Sequence, residues 1–176
     1  FNSLSWDRKA CIKLPEGYTS ICGMDGRAYK CETDGKEAFT VVDVPACGCA
    51  SFILGKEQAD IIDSMEKPIL ENDFVRAEFN ENGELVSLID KQTGIEFLSG
   101  RSNCMRLYED QTAAHDAWDI DSIYQNNEIT LVESAKIENI QSGALKSSFV
   151  IKRNLNNSTL VQKVTLRKDS RAIEFD

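Results

Sequence analysis

The stretch LKSSFVIKRNLNNSTLVQKVTLR, residues 145–167, decides the fold class of this chain. Two arms with a side-chain period of two flank a polar turn at residues 154–158, as expected for a half-buried antiparallel hairpin with one face in water. The apolar face carries Leu145, Ser147, Phe149, Ile151, Leu160, Val164 and Leu166. The polar face carries Lys146, Ser148, Lys152, Lys163, Thr165 and Arg167.

Short strand-like segments separated by predicted turns recur along the rest of the chain. Residues 74–79 and 85–89 form the arms of a further hairpin, and residues 95–98 begin another strand. Residues 129–140 alternate less regularly and predict one more strand. Three dipeptides suit two-residue type I′ loops, in which both central residues have positive φ: Asp25-Gly26, Asp34-Gly35 and Asn82-Gly83.

Helix signals are scarce. Residues 56–66 have apolar side chains at helical spacing and predict either a short helix or a linker before Pro68. We place a domain boundary near residues 64–68. Residues 1–66 then form a small sheet of five or six strands, and residues 67–176 form the first part of a larger domain. The many short strands predict an all-β protein, an antiparallel β-sandwich.

The charge balance excludes whole classes of partner. The 176 residues carry a formal net charge of -9, which disfavours nucleic acid and anionic membranes. The longest stretch without a charged residue, Val44–Gly55, is too short to cross a bilayer. Neutral ligands such as sugars remain compatible.

The six cysteines match no known disulfide scaffold, and a chain of this length does not need one. We expect reduced and mostly buried thiols, which indicate a cytoplasmic protein. Cys47-Gly48-Cys49 is expected in a strand, with both side chains on one face. The chain opens on Phe1 and closes within a strand-like segment, so we expect it to be a piece of a longer polypeptide.

Asp116-Ala117-Trp118-Asp119-Ile120-Asp121 is the segment with the most chemical potential. An indole beside carboxylates can stack on a sugar ring while the carboxylates accept hydrogen bonds from its hydroxyls. Asp116, Asp119 and Asp121 offer oxygen ligands for calcium, but the segment lacks the glycine and the closing glutamate of an EF-hand. A plain acidic loop with Trp118 packed on a core edge is the alternative.

Familiar catalytic motifs do not occur in this sequence. The single histidine, His115, is expected in an exposed loop, and no nucleophile elbow, zinc helix or phosphate-binding loop is present. The sequence therefore assigns no catalytic residue and no metal ligand.

An ordered set of motifs resembles the C-terminal region of glycoside hydrolase family 38 α-mannosidases. The resemblance spans nearly the whole chain. It rests on Phe1-Asn2 with Leu4, Trp6 and Arg8; Val44-Pro45 with Gly48; Leu70-Glu71-Asn72 with Gly83, Ser87, Asp90-Lys91, Gly94 and Glu96; Asn103, Leu107 and Tyr108 to Asp110; Asp116-Ala117-Trp118-Asp119; and Arg171 with Ile173-Glu174-Phe175.

This resemblance implies a fold and a division of labour. The larger domain would be part of a galactose-mutarotase-like sandwich. The parent would be a retaining enzyme, bacterial or of the cytosolic type, that removes terminal α-linked mannose from oligosaccharides. Its nucleophile and zinc would lie in an N-terminal catalytic domain, which this chain would contact. Asp116, Trp118, Asp119 and Asp121 would shape the rim of that site.

Two other functions are compatible with the residues. A carbohydrate-binding sandwich could act through Trp118 without hydrolysis. An epimerase-like enzyme is a weaker alternative, because it would need a histidine and a carboxylate in one cleft, and fold likeness alone does not carry function.

Overall fold

The computed structural model describes residues 1–111, 118, 120–131 and 133–176. The regular structure consists of short strands, nearly all paired antiparallel, and the one helical element in the described part is a 3₁₀ turn at Tyr124–Asn126. The predicted all-β antiparallel class is confirmed. Across these residues, no helix has the length and apolar character that crossing a membrane requires.

Seven strands lie before residue 67, and six of them form two sheets. The strands are β1 (Arg8–Lys13), β2 (Ser20–Gly23), β3 (Cys31–Thr33), β4 (Ala38–Val44), β5 (Phe52–Gly55), β6 (Asp60–Ile61) and β7 (Asp63–Ser64). β1, β4, β3 and β6 form one sheet in that order, and β2 pairs with β5. β3 and β6 run parallel.

The remaining strands form a three-stranded sheet, a five-stranded sheet and a separate pair. These strands are β8 (Ile69–Glu71), β9 (Val75–Phe79), β10 (Leu85–Asp90), β11 (Leu107–Tyr108), β12 (Glu128–Ile129), β13 (Glu133–Ser142), β14 (Lys146–Leu155), β15 (Ser158–Arg167) and β16 (Ile173–Phe175). β10, β9 and β8 form the three-stranded sheet, and β16, β15, β14, β13 and β7 form the five-stranded sheet, each in that order.

The three-stranded and five-stranded sheets enclose one hydrophobic core. Val75, Ala77 and Phe79 from β9 face Phe149 and Ile151 from β14, which are fully buried. The Phe79 and Phe149 rings meet edge to face with centroids 4.9 Å apart. A second core, around Val42 and Leu14, lies within the first part of the chain. The period-two hairpin of residues 145–167 is confirmed as β14 and β15, which pair in register from Lys146↔Arg167 to Leu155↔Ser158.

The strand alternation alone predicted that the whole polar face of this hairpin is exposed to solvent. The structure shows that part of this face is buried. Ser148 and Thr165 are buried on it, and Lys146 is half-buried. Phe39 of β4 lies against this end of the face, where the ammonium of Lys146 is 3.6 Å from its ring centroid. The first part of the chain therefore covers one end of the face, and Lys152 at the other end stays exposed.

The helix considered for residues 56–66 does not form. Its backbone groups pair instead with distant strands, because Ile62 N–H donates to Thr33 O at 3.0 Å and Met65 N–H donates to Ile140 O at 2.9 Å. The single strand predicted at residues 129–140 is divided between β12 and β13. The strand expected at residues 95–98 is reduced to one bridge between Glu96 and Ile89.

The type I′ turns are also wrong in detail. Gly26, Gly35 and Gly83 have positive φ, but the aspartate or asparagine before each of them does not. At the third turn, Asn80 O accepts from Gly83 N–H, and Asn80 N–H donates to Glu84 O. This is a three-residue loop in which only the glycine is left-handed, so strain on a side chain is avoided.

The prediction of mostly buried thiols is wrong. All six cysteines are free, but only Cys31 is buried, and Cys47, Cys49 and Cys104 are exposed. Cys47 occupies a turn with φ of 47°, so Cys47-Gly48-Cys49 is not a strand. The turn is held by Cys47 N–H, which donates to Leu4 O at 2.8 Å.

Candidate functional site

The candidate site lies in the connection between two short paired strands. β11 and β12 pair antiparallel, with Leu107 opposite Ile129 and Tyr108 opposite Glu128. Glu109 N–H extends this ladder by donating to Asn127 O at 2.9 Å. The pairing closes the ends of the intervening connection, which contains the acidic segment of residues 116–121.

Asp121 shapes the end of this connection. Its carboxylate Oδ1 accepts a hydrogen bond from Ile123 N–H at 3.2 Å, and its carbonyl accepts one from Tyr124 N–H at 3.0 Å. An aspartate that accepts from the backbone two residues later forms an Asx turn, which here leads into the 3₁₀ turn. Asp121 is half-buried. In the structure, Asp121 therefore stabilises the turn at residues 121–124.

A contact between two tyrosine rings links the two ends of the connection between β11 and β12. The Tyr108 and Tyr124 rings meet edge to face, with centroids 5.2 Å apart and planes at 84°. Arg106 Nη1 donates to Tyr108 Oη at 3.2 Å, and this hydrogen bond raises the pKa of the Arg106 guanidinium above its ordinary value. The ring pair joins β11 to the 3₁₀ turn, so it holds both ends of the connection in one place. Sequence analysis missed Tyr124.

A buried polar network fixes the chain that enters β11. The Arg153 side chain is fully buried and donates from Nη2 to Gly83 O at 2.8 Å and to Asn103 O at 3.1 Å. Gln162 Nε2 donates to Asn103 Oδ1 at 3.2 Å. Asn103 has φ of 57°, a conformation that asparagine tolerates better than most residues. Arg153 lies two residues after Ile151 on β14, so its side chain is on the same buried face as those of Phe149 and Ile151. This alternation in the sequence could have predicted that Arg153 is buried.

The structure describes only part of the predicted rim. Trp118 is 87% exposed, and Ile120 and Ile123 are exposed on either side of Asp121. Asp116 and Asp119 lie outside the described residues, as does His115. The alternative in which Trp118 packs on a core edge is wrong, because its indole is almost fully exposed. The described residues of the connection thus include an exposed indole and two exposed isoleucines, and an exposed indole is available for stacking on a ligand.

The acid and metal chemistry of the described residues is limited. No three histidine, cysteine, aspartate or glutamate side chains among them are grouped so that they could hold a metal ion. Retaining glycoside hydrolysis needs two carboxyl groups about 5–5.5 Å apart on either side of a sugar. Asp121 already accepts a backbone hydrogen bond within its own turn.

Comparison with known proteins places this β-sandwich in a family. Residues 70–176, more than half of the chain, match the glycosyl hydrolases family 38 C-terminal domain. The chain belongs to glycoside hydrolase family 38. No curated protein matches the chain.

The resemblance to this family noted in the sequence is thus confirmed. The family 38 match begins at Leu70, within β8, and covers the whole β-sandwich core together with β11, the 3₁₀ turn and β12. Because the matched unit is the C-terminal domain, the chain corresponds to a non-catalytic region of a family 38 glycoside hydrolase. The candidate surface lies inside the matched range, so it is part of that domain.

Proposed function

We propose that this chain is the structural β-region of a retaining α-mannosidase that removes terminal α-linked mannose from oligosaccharides. The family 38 match over residues 70–176 carries this proposal. The ordered motifs from Phe1 to Phe175 support it, since they extend the resemblance to both ends of the chain. Catalysis, including the nucleophile and the zinc ion, belongs to an N-terminal catalytic domain of the same polypeptide. This chain is then a partner of that domain.

Within this function, Asp116, Trp118, Asp119 and Asp121 shape the rim of the catalytic domain's substrate site. The exposed indole of Trp118 and the exposed Ile120 and Ile123 support this role. An exposed indole offers a face that can stack on a sugar ring. Asp121 contributes by fixing the turn that presents Ile123.

The domain division fits the same proposal. Residues 1–66 act as a small domain and residues 67–176 as part of a larger, mutarotase-like sandwich. The two separate hydrophobic cores support this division. Ser64 of β7 pairs with Gln141 of β13, so the proposed boundary itself is anchored on the larger sheet. A cytoplasmic enzyme fits the six free cysteines, and the Asp116-Ala117-Trp118-Asp119 motif supports a bacterial or cytosolic-type member.

One experiment tests the division of labour. The purified 176-residue chain is assayed with p-nitrophenyl α-mannoside, with and without added zinc. We expect no hydrolysis, because the described residues present no metal-ligand group and no motif for a nucleophile. Hydrolysis by this chain that persists after metal removal would overturn the proposal.

A second experiment tests the rim in the full-length enzyme. Trp118→Ala, Asp116→Asn, Asp119→Asn and Asp121→Asn are expected to lower kcat/KM, and Trp6→Ala serves as the matched control. Trp6 is also an exposed tryptophan, at 60%, but it lies in the first part of the chain. An unchanged kcat/KM in all four rim variants would remove the rim from the proposal.

A carbohydrate-binding module is the second candidate, and the exposed indole of Trp118 is the observation that favours it. Titration of the isolated chain with mannose oligosaccharides, followed by tryptophan fluorescence, separates the two functions. A saturable change that Trp118→Ala abolishes would indicate a binding module. No change would agree with a rim that needs the catalytic domain.

A further inference from the structure

A small cavity lies between the first part of the chain and the polar face of the five-stranded sheet. Its volume is about 220 Å³. Phe39 and Ile62 contribute apolar walls from the first part, and both are buried. The polar lining consists of Asp34, Lys36, Asn139, Gln141, Lys146, Ser148 and Lys163.

Strand register explains why these polar groups converge. Lys146, Ser148 and Val150 alternate along β14 with the core residues, so they point to the face away from the apolar core. Lys163 lies opposite Val150 on β15, and Gln141 lies opposite Ser148 on β13. Three adjacent strands thus deliver polar side chains to one place, which the first part of the chain then covers.

The charge of the cavity opposes that of the whole chain. Three lysines and one acidic residue, Asp34, line the cavity, whereas the chain carries a net charge of -9. The Asp34 carboxylate is engaged in its own turn, where Oδ1 accepts from Lys36 N–H and Glu37 N–H at 2.9 Å each. Among the described residues, none of the three cavity lysines forms a salt bridge. The lysines that do pair with a carboxylate all lie outside the cavity: Lys13, Lys30, Lys91, Lys136 and Lys152.

Lys146 is held in an unfavourable place for a cation. Burial lowers the pKa of its ammonium, and the nearby charge of Lys163 lowers it further. The Phe39 ring, 3.6 Å from Lys146 Nζ, offsets part of that cost through a cation–π contact. Lys146 is half-buried, whereas Lys163 is exposed. Two like charges held near each other are stabilised when an anion binds between them.

A β-bulge adds hydrogen-bond donors to the same wall. The register between β13 and β14 shifts between Glu138 and Gln141, and Asn139 within the shift has φ of 53°. Bulges re-aim side chains and are frequent beside functional sites. Here the bulge places the Asn139 amide in the lining together with Gln141 and the buried hydroxyl of Ser148.

We propose that this cavity binds a phosphate-type oxyanion between Lys146 and Lys163, with the Asn139 and Gln141 amides and the Ser148 hydroxyl as neutral donors. Ammonium groups and amide N–H groups are suited to phosphate oxygens, and hydrogen bonds between charged groups are the stronger kind. The oxyanion is either free phosphate or the phosphate of a monoester. This site is separate from the Trp118 surface, and it does not depend on the proposed mannosidase function.

Calorimetric titration of the 176-residue chain with inorganic phosphate, in chloride buffer, tests the proposal. We expect binding at one site. Lys163→Gln and Lys146→Met should each weaken it by at least about tenfold, which corresponds to about 1.4 kcal/mol, because each removes one charged hydrogen-bond donor. Methionine keeps the aliphatic contact with Phe39. Lys56→Gln is the matched control, because Lys56 also lies over an aromatic ring, that of Tyr18 at 5.9 Å, outside the cavity.

The outcomes separate cleanly. A hexose 6-phosphate that binds more tightly than inorganic phosphate identifies a monoester as the ligand, and equal affinities identify the free anion. Absence of phosphate binding in the unmodified chain, or equal weakening by Lys56→Gln and Lys163→Gln, overturns the proposal. A thermal-shift series with phosphate checks that the variants are folded.

Discussion

The carboxylate of Glu32 accepts a hydrogen bond from the backbone N–H of Leu145 at 3.1 Å, across 113 positions of sequence. The neighbouring Ala144 N–H also donates to this carboxylate. Glu32 lies on β3 and is buried, whereas Leu145 directly precedes β14. One side chain from the first part of the chain thus satisfies two backbone donors at the start of the main hairpin.

Replacing Glu32 with alanine is expected to destabilise the protein by about 2–3 kcal/mol. The substitution leaves two part-buried backbone N–H groups without their acceptor. A fully buried unsatisfied donor costs about 1–3 kcal/mol, and a part-buried one lies at the low end of that range because water can reach it. Urea unfolding of Glu32→Ala measures the loss. Glu16→Ala, at an exposed glutamate, is the control and should change little. Equal stability of both variants would show that the contact contributes nothing.

Gly83→Ala is expected to cost more than Gly94→Ala. Both glycines have positive φ, 69° and 72° respectively, so alanine is strained at either position. A Cβ at Gly83 would also lie 2.7 Å from Ile151 Cγ2, whereas nothing lies within 4 Å of one at Gly94. We expect about 1 kcal/mol for Gly94→Ala and about 2–4 kcal/mol for Gly83→Ala, from strain plus overpacking. Thermal unfolding that ranks the two variants equally would contradict the packing argument.

Glu138 should titrate far below an ordinary glutamate. Hydrogen bonds from the Lys136 and Lys152 ammonium groups, both at 2.8 Å, lower its pKa from 4.5 to about 2. Because the folded pKa is the lower one, this stabilising effect is present above pH 4.5 and is lost as the pH falls from 4.5 towards 2. Carboxyl NMR titration measures the pKa directly.

A matched pair of variants checks the cause of this shift. Lys136→Met combined with Lys152→Met should return the pKa of Glu138 towards its ordinary value. Lys9→Met, at an exposed lysine of β1, should leave it low. A Glu138 pKa near 4.5 in the unmodified protein would show that the two lysines do not act as the geometry indicates.

Thiol reactivity should divide the cysteines by exposure. With Ellman's reagent, we expect Cys47, Cys49 and Cys104 to react before Cys31, which is buried. Cys104 should be the slowest of the three exposed thiols, because desolvation and the Glu84 carboxylate raise its pKa and so lower its thiolate fraction. Cys104→Ser should remove only that slower phase. A native protein with no reactive thiol would contradict the exposed, reduced state.

Local patterns anticipated the elements that are defined by near neighbours. The alternation around Phe149 predicted β14 and β15, and the glycine at each loop predicted a turn. The detail of those turns failed, because only the glycine of each turn is left-handed. In the Asn82-Gly83 loop, a third loop residue removes the need for a second positive φ. Residues 56–66 failed because Ile62 and Met65 N–H groups pair with strands far away in sequence.

The candidate site divides in the same way. The sequence identified Trp118 and Asp121 as residues able to contact a sugar, since their side-chain chemistry is independent of the fold. It could not identify Tyr124 or Arg153 as their supports, because the Tyr108–Tyr124 ring pair and the Gly83–Arg153 hydrogen bond join residues that only folding brings together.

The sequence by itself determined the all-β class, the main hairpin and the family, because period-two alternation and ordered motifs are local properties of the chain. Only the tertiary structure decided which polar faces are covered. Ser148 and Lys146 look like solvent-facing residues until Phe39 and Ile62 close over them, and Glu32 looks like a surface glutamate until two amide groups near β14 meet its carboxylate. Burial depends on what packs against a face, and strand alternation contains no information about that neighbour.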